Sequence, residues 1–212
     1  MTSDHGMRGV ALSVAAMLTV TGCAQVVTGA AQRVSSGQVQ GPGACATVDA
    51  PLQDIPAHAG TEPRLRVPLP ANWQPIVEAS RGKIRFLMAN PGLIGNMFTP
   101  NIVVTLEDDS VSDAQSIFAD AERGLRKQAG ISDLDAAAGT VCGLPSETIS
   151  FHSARVLSRG RRAVTTLAVV AGVGARQYVV TVTAQTAQPD NPAYIKAVKT
   201  VMDGLQVLAP TI

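Results

Sequence analysis

Side chains able to do covalent or redox chemistry are scarce, and their scarcity excludes more than it leaves. The 212 residues hold three histidines, three cysteines and a single tryptophan. There is no Gly-x-Ser-x-Gly elbow to present a nucleophile. His5 lies in a leader, so His58 and His152 remain as candidate bases. His152 stands beside Ser153, but neighbours along a strand point to opposite faces, so the two cannot act as base and nucleophile. The cysteines lack a Cys-x-x-Cys spacing, and two histidines do not complete a zinc site. Gly172-x-Gly174 lacks the third glycine and the following helix of a dinucleotide fingerprint and reads as a turn. No cofactor and no metal are expected. Aromatic residues make up 3%, too few for the stacking platforms that single-stranded nucleic acids and sugars require. A net charge of +1, from 17 basic and 16 acidic residues, supplies no basic stripe, so nucleic acid is excluded as a partner.

The N-terminus is organised differently. Arg8 precedes the apolar run Val10–Val20, 11 residues long. A spanning helix needs about 20, so this is the plan of a secretory signal. Val20-Thr21-Gly22-Cys23 resembles a bacterial lipobox, which implies diacylglyceryl transfer to the Cys23 thiol and cleavage after Gly22. Met1 and Met7 both remain open as the start. Two or three acyl chains make a lasting anchor where one is marginal. Residues 1–22 are thus expected to be a signal peptide, 23–44 a lipidated flexible tether rich in Gly, Ser, Gln and Ala, and 45–212 one domain at the outer face of the cytoplasmic membrane. With Cys23 lipidated, Cys45 and Cys142 are left as one pair, and an exported chain favours their joining into a disulfide.

Within the domain two periods alternate. Leu65, Val67 and Leu69 alternate with Arg66, Pro68 and Pro70, whose prolines predict an edge strand. Pro70–Trp73 reads as a turn, and residues 45–63, with three prolines, as irregular chain. Ile84, Phe86 and Met88 are predicted to face inward against Lys83 and Arg85, as are Ile102, Val104 and Leu106 in the next strand. Ser112 and Gln115 suggest a capping box for a helix whose apolar face is Ala114, Ile117, Phe118, Ala121 and Leu125 and which Gly130 ends; Glu122 and Arg126 pair on its surface. Strands fill residues 134–185, with a hairpin about Ser158–Arg161. In the last of them Tyr178, Val180 and Val182 share a face. A closing helix has Asn191 as cap, Pro192 at its first position, Tyr194, Ile195, Val198, Val201 and Met202 as its stripe, and Gly204 as its stop. The expected fold is α+β: a curved antiparallel sheet sandwiched with two main amphipathic helices.

Two features are candidates for ligand or partner contact. Leu93, Ile94, Met97 and Phe98 put large apolar groups on a loop broken by glycine and proline; they form either a lip for an acyl chain or a cover over the sheet end. Arg155, Arg159, Arg161 and Arg162 flank the predicted hairpin, where they either meet anionic groups or keep the strand edge soluble.

LRVPLPANW at 65–73, CGLPSETI at 142–149, YVVTVTA at 178–184 and the two helices in these places together resemble the LpqN/LpqT family of mycobacterial lipoproteins over roughly residues 60–208. The resemblance implies a Mog1/PsbP-like α/β/α sandwich without catalytic residues. It also implies a role in envelope lipid traffic, through binding of a lipid or acylated sugar or through an MmpL-type lipid transporter. An envelope ester hydrolase and a purely structural or adhesive module are the alternative expectations.

Overall fold

Where apolar and polar residues alternate with a period of two, the chain forms strands, and the register of those strands decides which side is buried. The computed structural model describes residues 43, 45–77, 82–108, 112–154 and 160–210. The predicted signal peptide, Cys23, the tether apart from Gly43, Arg155, and Ser158 and Arg159 of the predicted hairpin tip lie outside these residues. In chain order the elements are β1 (Leu52–Ile55), β2 (Arg64–Pro68), β3 (Gln74–Pro75), β4 (Ile84–Ala89), β5 (Asn101–Asp108), α1 (Ala114–Lys127), β6 (Ser132–Val141), β7 (Leu144–His152), β8 (Ala163–Val173), β9 (Arg176–Thr186), α2 (Pro192–Gly204) and β10 (Gln206–Leu208).

Seven strands form an antiparallel sheet in the order β3-β4-β5-β9-β8-β7-β6. Pairing of Val104 with Val182 and of Leu106 with Val180 lines up the alternating residues of β5 and β9, and Leu167 and Val169 of β8 continue the same rows. These side chains, with Met88 and Ile102, are buried. Tyr194, Ala197 and Val201 of α2 cover them, together with Leu65, Val67 and Val207 of a second, three-stranded sheet ordered β1-β2-β10. The opposite face carries a smaller cluster, Ile149, Phe151 and Val164, with Leu125 of α1 packed against it. No residue of α1 is buried, whereas α2 buries four.

Several expectations need correction. β2 is not an edge strand: it is flanked by β1 and β10. Its prolines do not obstruct this, because Pro68 lies at the end of the ladder, opposite Leu52, and Pro70 lies beyond it. Residues 45–63 are not wholly irregular, since β1 lies among them. Both of β2's partners are short, β1 lying just before it and β10 at the far end of the domain, so no local period announces them. Asp113, not Ser112, caps α1: its side chain accepts from the Ser116 backbone N–H at 2.9 Å. The helix ends at Lys127 with Gln128 as its cap, ahead of Gly130. In α2, Asn191 and Pro192 stand as expected, but Ile195 is 51% exposed and Ala197 takes its place in the buried stripe. Gly204 belongs to the helix, and its role is close packing. A Cβ there would lie 2.4 Å from Val48 Cγ2 and 2.6 Å from Pro68 Cγ.

Arg85 is likewise not a solvent-facing residue. Its guanidinium donates from Nη2 to Glu62 Oε1 at 2.6 Å and from Nη1 to Oε2 at 3.1 Å. Both side chains are about one-tenth exposed. The His58 backbone N–H also donates to Glu62 Oε2, at 2.8 Å. Burial pushes the Glu62 carboxyl up, but the hydrogen bonds from Arg85 and from the His58 backbone, with the Arg85 charge, outweigh it and hold the group below its ordinary value. At the N-terminal end of the domain Cys45 and Cys142 are joined, their Cα atoms 4.1 Å apart across 97 residues of sequence. The bond ties the start of the domain to the β6–β7 turn.

Two substitutions probe this architecture. Gly204→Ala is expected to destabilise the domain by about 1–3 kcal/mol through overpacking, although alanine is the better helix former by about 1 kcal/mol; a thermal melt that rises instead contradicts the close approach. Glu62→Gln leaves the Arg85 charge buried with a weakened partner and is expected to cost about 3–5 kcal/mol at neutral pH. Because the folded carboxyl titrates below its unfolded value of about 4.3, its contribution is complete above that pH and fades as pH falls through the lower folded value. Wild type and variant should therefore converge in stability towards acid, which urea unfolding at stepped pH measures.

Candidate functional site

Three short segments, together with Asp49 and Ala50, meet at the end of the main core and leave an open groove of about 410 Å³. The first is the turn after β2, where the Trp73 N–H donates to the Pro70 carbonyl at 3.1 Å and Asn72 takes a left-handed conformation, φ 67°. The second is the 3₁₀ turn Pro91–Leu93, held by Asn90, whose side-chain oxygen accepts from the Gly92 N–H at 3.0 Å. The third is the first two-thirds of α2, where Ala193, Lys196, Ala197 and Thr200 share one flank through their helical spacing. Trp73, Leu93 and Ala197 give the groove apolar walls, while Asp49 and Lys196 add polar groups. The Trp73 ring stands 6.5 Å from that of Tyr194, tilted by 36°. Burial keeps the Tyr194 phenol protonated far above neutral pH. A second hollow, of about 380 Å³, lies over Ile55, Glu62 and Arg66. The Glu62–Arg85 pair already engages its carboxylate.

The loop after Leu93 leaves the groove and turns sharply. Gly95 and Phe98 exchange two backbone hydrogen bonds, at 3.0 and 2.9 Å, across Asn96 and Met97. Both turn residues have positive φ, 49° and 56°. A hairpin turn of this hand is normally met by glycine or asparagine, and a methionine there costs roughly 1–2 kcal/mol. The strain puts Met97 at the tip, 76% exposed, with Ile94 beside it at 55%. Of the four apolar residues singled out in this loop, Ile94 and Met97 thus face solvent, whereas Leu93 packs partly against the core and Phe98 is half-buried.

The two candidate features, 64 residues apart in sequence, meet. The Arg162 guanidinium carbon lies 4.0 Å from the centre of the Phe98 ring, a cation–π contact. Arg161 donates to Ser132 Oγ at 2.7 Å. The connection between β7 and β8 is closed by the Ser153 N–H donating to the Arg162 carbonyl at 2.8 Å.

His152 gives no sign of a catalytic pair. Its Nδ1 is 3.2 Å from Asp133 Oδ2, and the hydroxyl of Ser132, the residue in register with it, donates to that same carboxylate oxygen. Ser153 Oγ donates to the Ala154 carbonyl and accepts from the Arg162 N–H. Neither serine is hydrogen-bonded to the imidazole. Glu147 is the other titratable group in an unusual place. Its Oε2 is buried without a hydrogen-bond partner, and burial, then the charge of Glu122, push its carboxyl up. It lies in mid-strand of β7, apart from the groove.

The groove escaped the sequence reading because its walls are split among residues 49–50, 70–73, 90–93 and 193–200. Two signals pointed towards it: a lone tryptophan ending a proline turn, and small or polar residues on one flank of an otherwise apolar helix.

Residues 49–208 match the family described as Probable lipoprotein LpqN. In three dimensions the chain is similar to LpqN of Mycobacterium tuberculosis, a protein involved in cell envelope biogenesis, with 17% identity and a TM-score of 0.62 over 74% of this chain and 91% of that one. Weaker likenesses are to the cyanobacterial PsbP of Synechocystis sp. PCC 6803, at 16% identity and TM-score 0.49 over 78% and 98% of the two chains, and to the Saccharomyces cerevisiae Ran-binding protein Mog1p, at 14% and 0.42 over 76% and 97%. No curated protein matches the chain by sequence. The family match spans most of the domain, and the arrangement of strands and helices agrees with it: the chain belongs to the LpqN lipoprotein family.

Proposed function

We propose that the chain is a membrane-anchored, non-enzymatic lipoprotein of the cell envelope that takes an acyl chain of an envelope lipid into the groove beside Trp73. The observation that carries this reading is the juxtaposition of a groove with apolar walls and a strained loop that keeps Ile94 and Met97 in water. Its volume falls in the range of about 300–1,000 Å³ usual for small-molecule sites. Each methylene removed from water there contributes about 0.8 kcal/mol. Arg161 and Arg162, one of them seated on Phe98, stand where an anionic or polar headgroup can be met. The lipobox at Cys23 supports attachment to the membrane that supplies such a lipid, and the cell-envelope role of M. tuberculosis LpqN agrees with that place of work. Handing the lipid to or from a transporter's outer domain is the step such a module serves.

Two measurements test the reading. Cys23→Ala should leave the chain without its acyl groups, so that intact mass shows no lipid and fractionation moves the protein out of the membrane; retention of the variant in the membrane overturns the anchor. A phospholipid with a photoactivatable acyl chain should label the full chain at residues 70–73 and 91–97. Leu93→Glu should reduce that labelling at least tenfold while the domain still melts cooperatively, at a somewhat lower temperature because Leu93 also packs partly against the core. Labelling that is absent, or indifferent to this substitution, overturns the groove as the acyl site.

A further inference from the structure

Among the described residues the sheet edges are guarded, with one exception. β3 is two residues long and ends in Pro75. β1 has four residues between Pro51 and Pro56, with Asp54 paired to Arg66. β10 has three and is followed by Pro210. Short length, proline and charge are the usual devices that stop an exposed ladder from recruiting another strand. β6 forms the far edge of the seven-stranded sheet and has ten residues. Its acidic residues, Asp133 and Asp135, sit near its start, where the pairing with β7 shifts register. From Ala136 to Val141 the sequence is Ala-Ala-Ala-Gly-Thr-Val, without charge or proline, in unbroken register, and residues 137–140 are exposed.

The direction of the free backbone groups follows from the turn. Val141 and Leu144 flank the two-residue turn Cys142-Gly143, whose φ values of 52° and 78° are those of a tight hairpin, so this pair exchanges both hydrogen bonds. Pairs alternate along an antiparallel ladder. Gly139 and Ala137 therefore bond to β7, while Thr140, Ala138 and Ala136 direct their N–H and C=O groups away from it. Thr140 lies opposite Pro145, which has no N–H to give, in agreement with this phase.

We propose that β6 pairs antiparallel with β6 of a second copy of this chain, about a two-fold axis at Ala138. In that register Ala138 meets its own copy and Ala136 meets Thr140 of the partner, which satisfies all three outward-facing residues. Asp135 falls opposite Val141, so no like charges meet, and the side chains between are only alanine, glycine and threonine. A foreign peptide would be read through side-chain pockets beside the edge, and these exposed small residues offer none. The contact is small, so the dimer is weak and reversible. It lies at the opposite edge of the sheet from the groove, beside β3 and β4, and does not rest on the function proposed for that groove.

Disulfide trapping in the full chain tests it. Facing Ala138 residues have Cα atoms about 5.5 Å apart, within the span a disulfide bridges, whereas facing copies of position 140 are four residues out of register, about 13 Å apart. Under mild oxidation in envelope fractions, Ala138→Cys should give a covalent homodimer at least ten times as abundant as Thr140→Cys. Ala138→Pro removes an outward donor and leaves the β6–β7 ladder whole, so it should melt as a folded domain yet lose concentration-dependent dimerisation in sedimentation. Equal trapping at both positions, no trapping at position 138, or capture of a different protein there overturns the proposal. So does an Ala138→Pro protein that folds and still dimerises.

Discussion

The last turn of α2 can lie against β2 only because position 204 carries no side chain. With Val48 and Pro68 each within 2.6 Å of where a Cβ would be, the helix descends far enough for the chain to leave it, pass the buried Leu205 and lay β10 along β2. That pairing places Val207 beside Leu65 and completes the small sheet that lids the main core. The same approach holds α2 at a height where Ala193, Lys196 and Ala197 border a groove. Fold and candidate site thus depend on one steric condition near the C-terminal end of the domain.

The molecule is asymmetric about its large sheet. On one side α2 and the small sheet bury a continuous core; on the other, α1 rests on three buried residues and buries none of its own. Stability is therefore concentrated on the α2 side, and the Cys45–Cys142 bond fastens the start of the domain to the β6–β7 turn. The groove and the exposed loop are built at the firmly packed side, which suits a binding surface that must hold its shape. The strained Asn96-Met97 turn belongs to the same logic: left-handed backbone at a methionine survives only where surrounding contacts over-determine it. Here those contacts are the paired hydrogen bonds of Gly95 and Phe98 and the stacking of Arg162 on Phe98.

What was legible in the chain was local. Strand faces such as Ile102-Val104-Leu106 and Tyr178-Val180-Val182 lie where alternation puts them, and Asn191-Pro192 opens α2 as its chemistry requires. Reading failed where a residue's role came from a distant segment. Arg85 reads as a solvated outward residue until Glu62, 23 positions away, folds over it. β2 reads as an edge until β10, from the far end of the domain, pairs along its second side. Gly204 reads as a stop signal, whereas its role is to admit Val48 and Pro68.

The amino-acid sequence by itself determined the class of the fold, the family and the inward faces of the long strands, because periodicity and residue chemistry are properties of neighbouring positions. Tertiary structure alone decided that Trp73, Leu93 and Ala197 wall one groove, that Phe98 receives Arg162, and that β6 is, among the described residues, the long edge with a stretch free of charge and proline. Those are juxtapositions of segments tens of residues apart, and they exist only once burial of the common core has set the path of the chain between them.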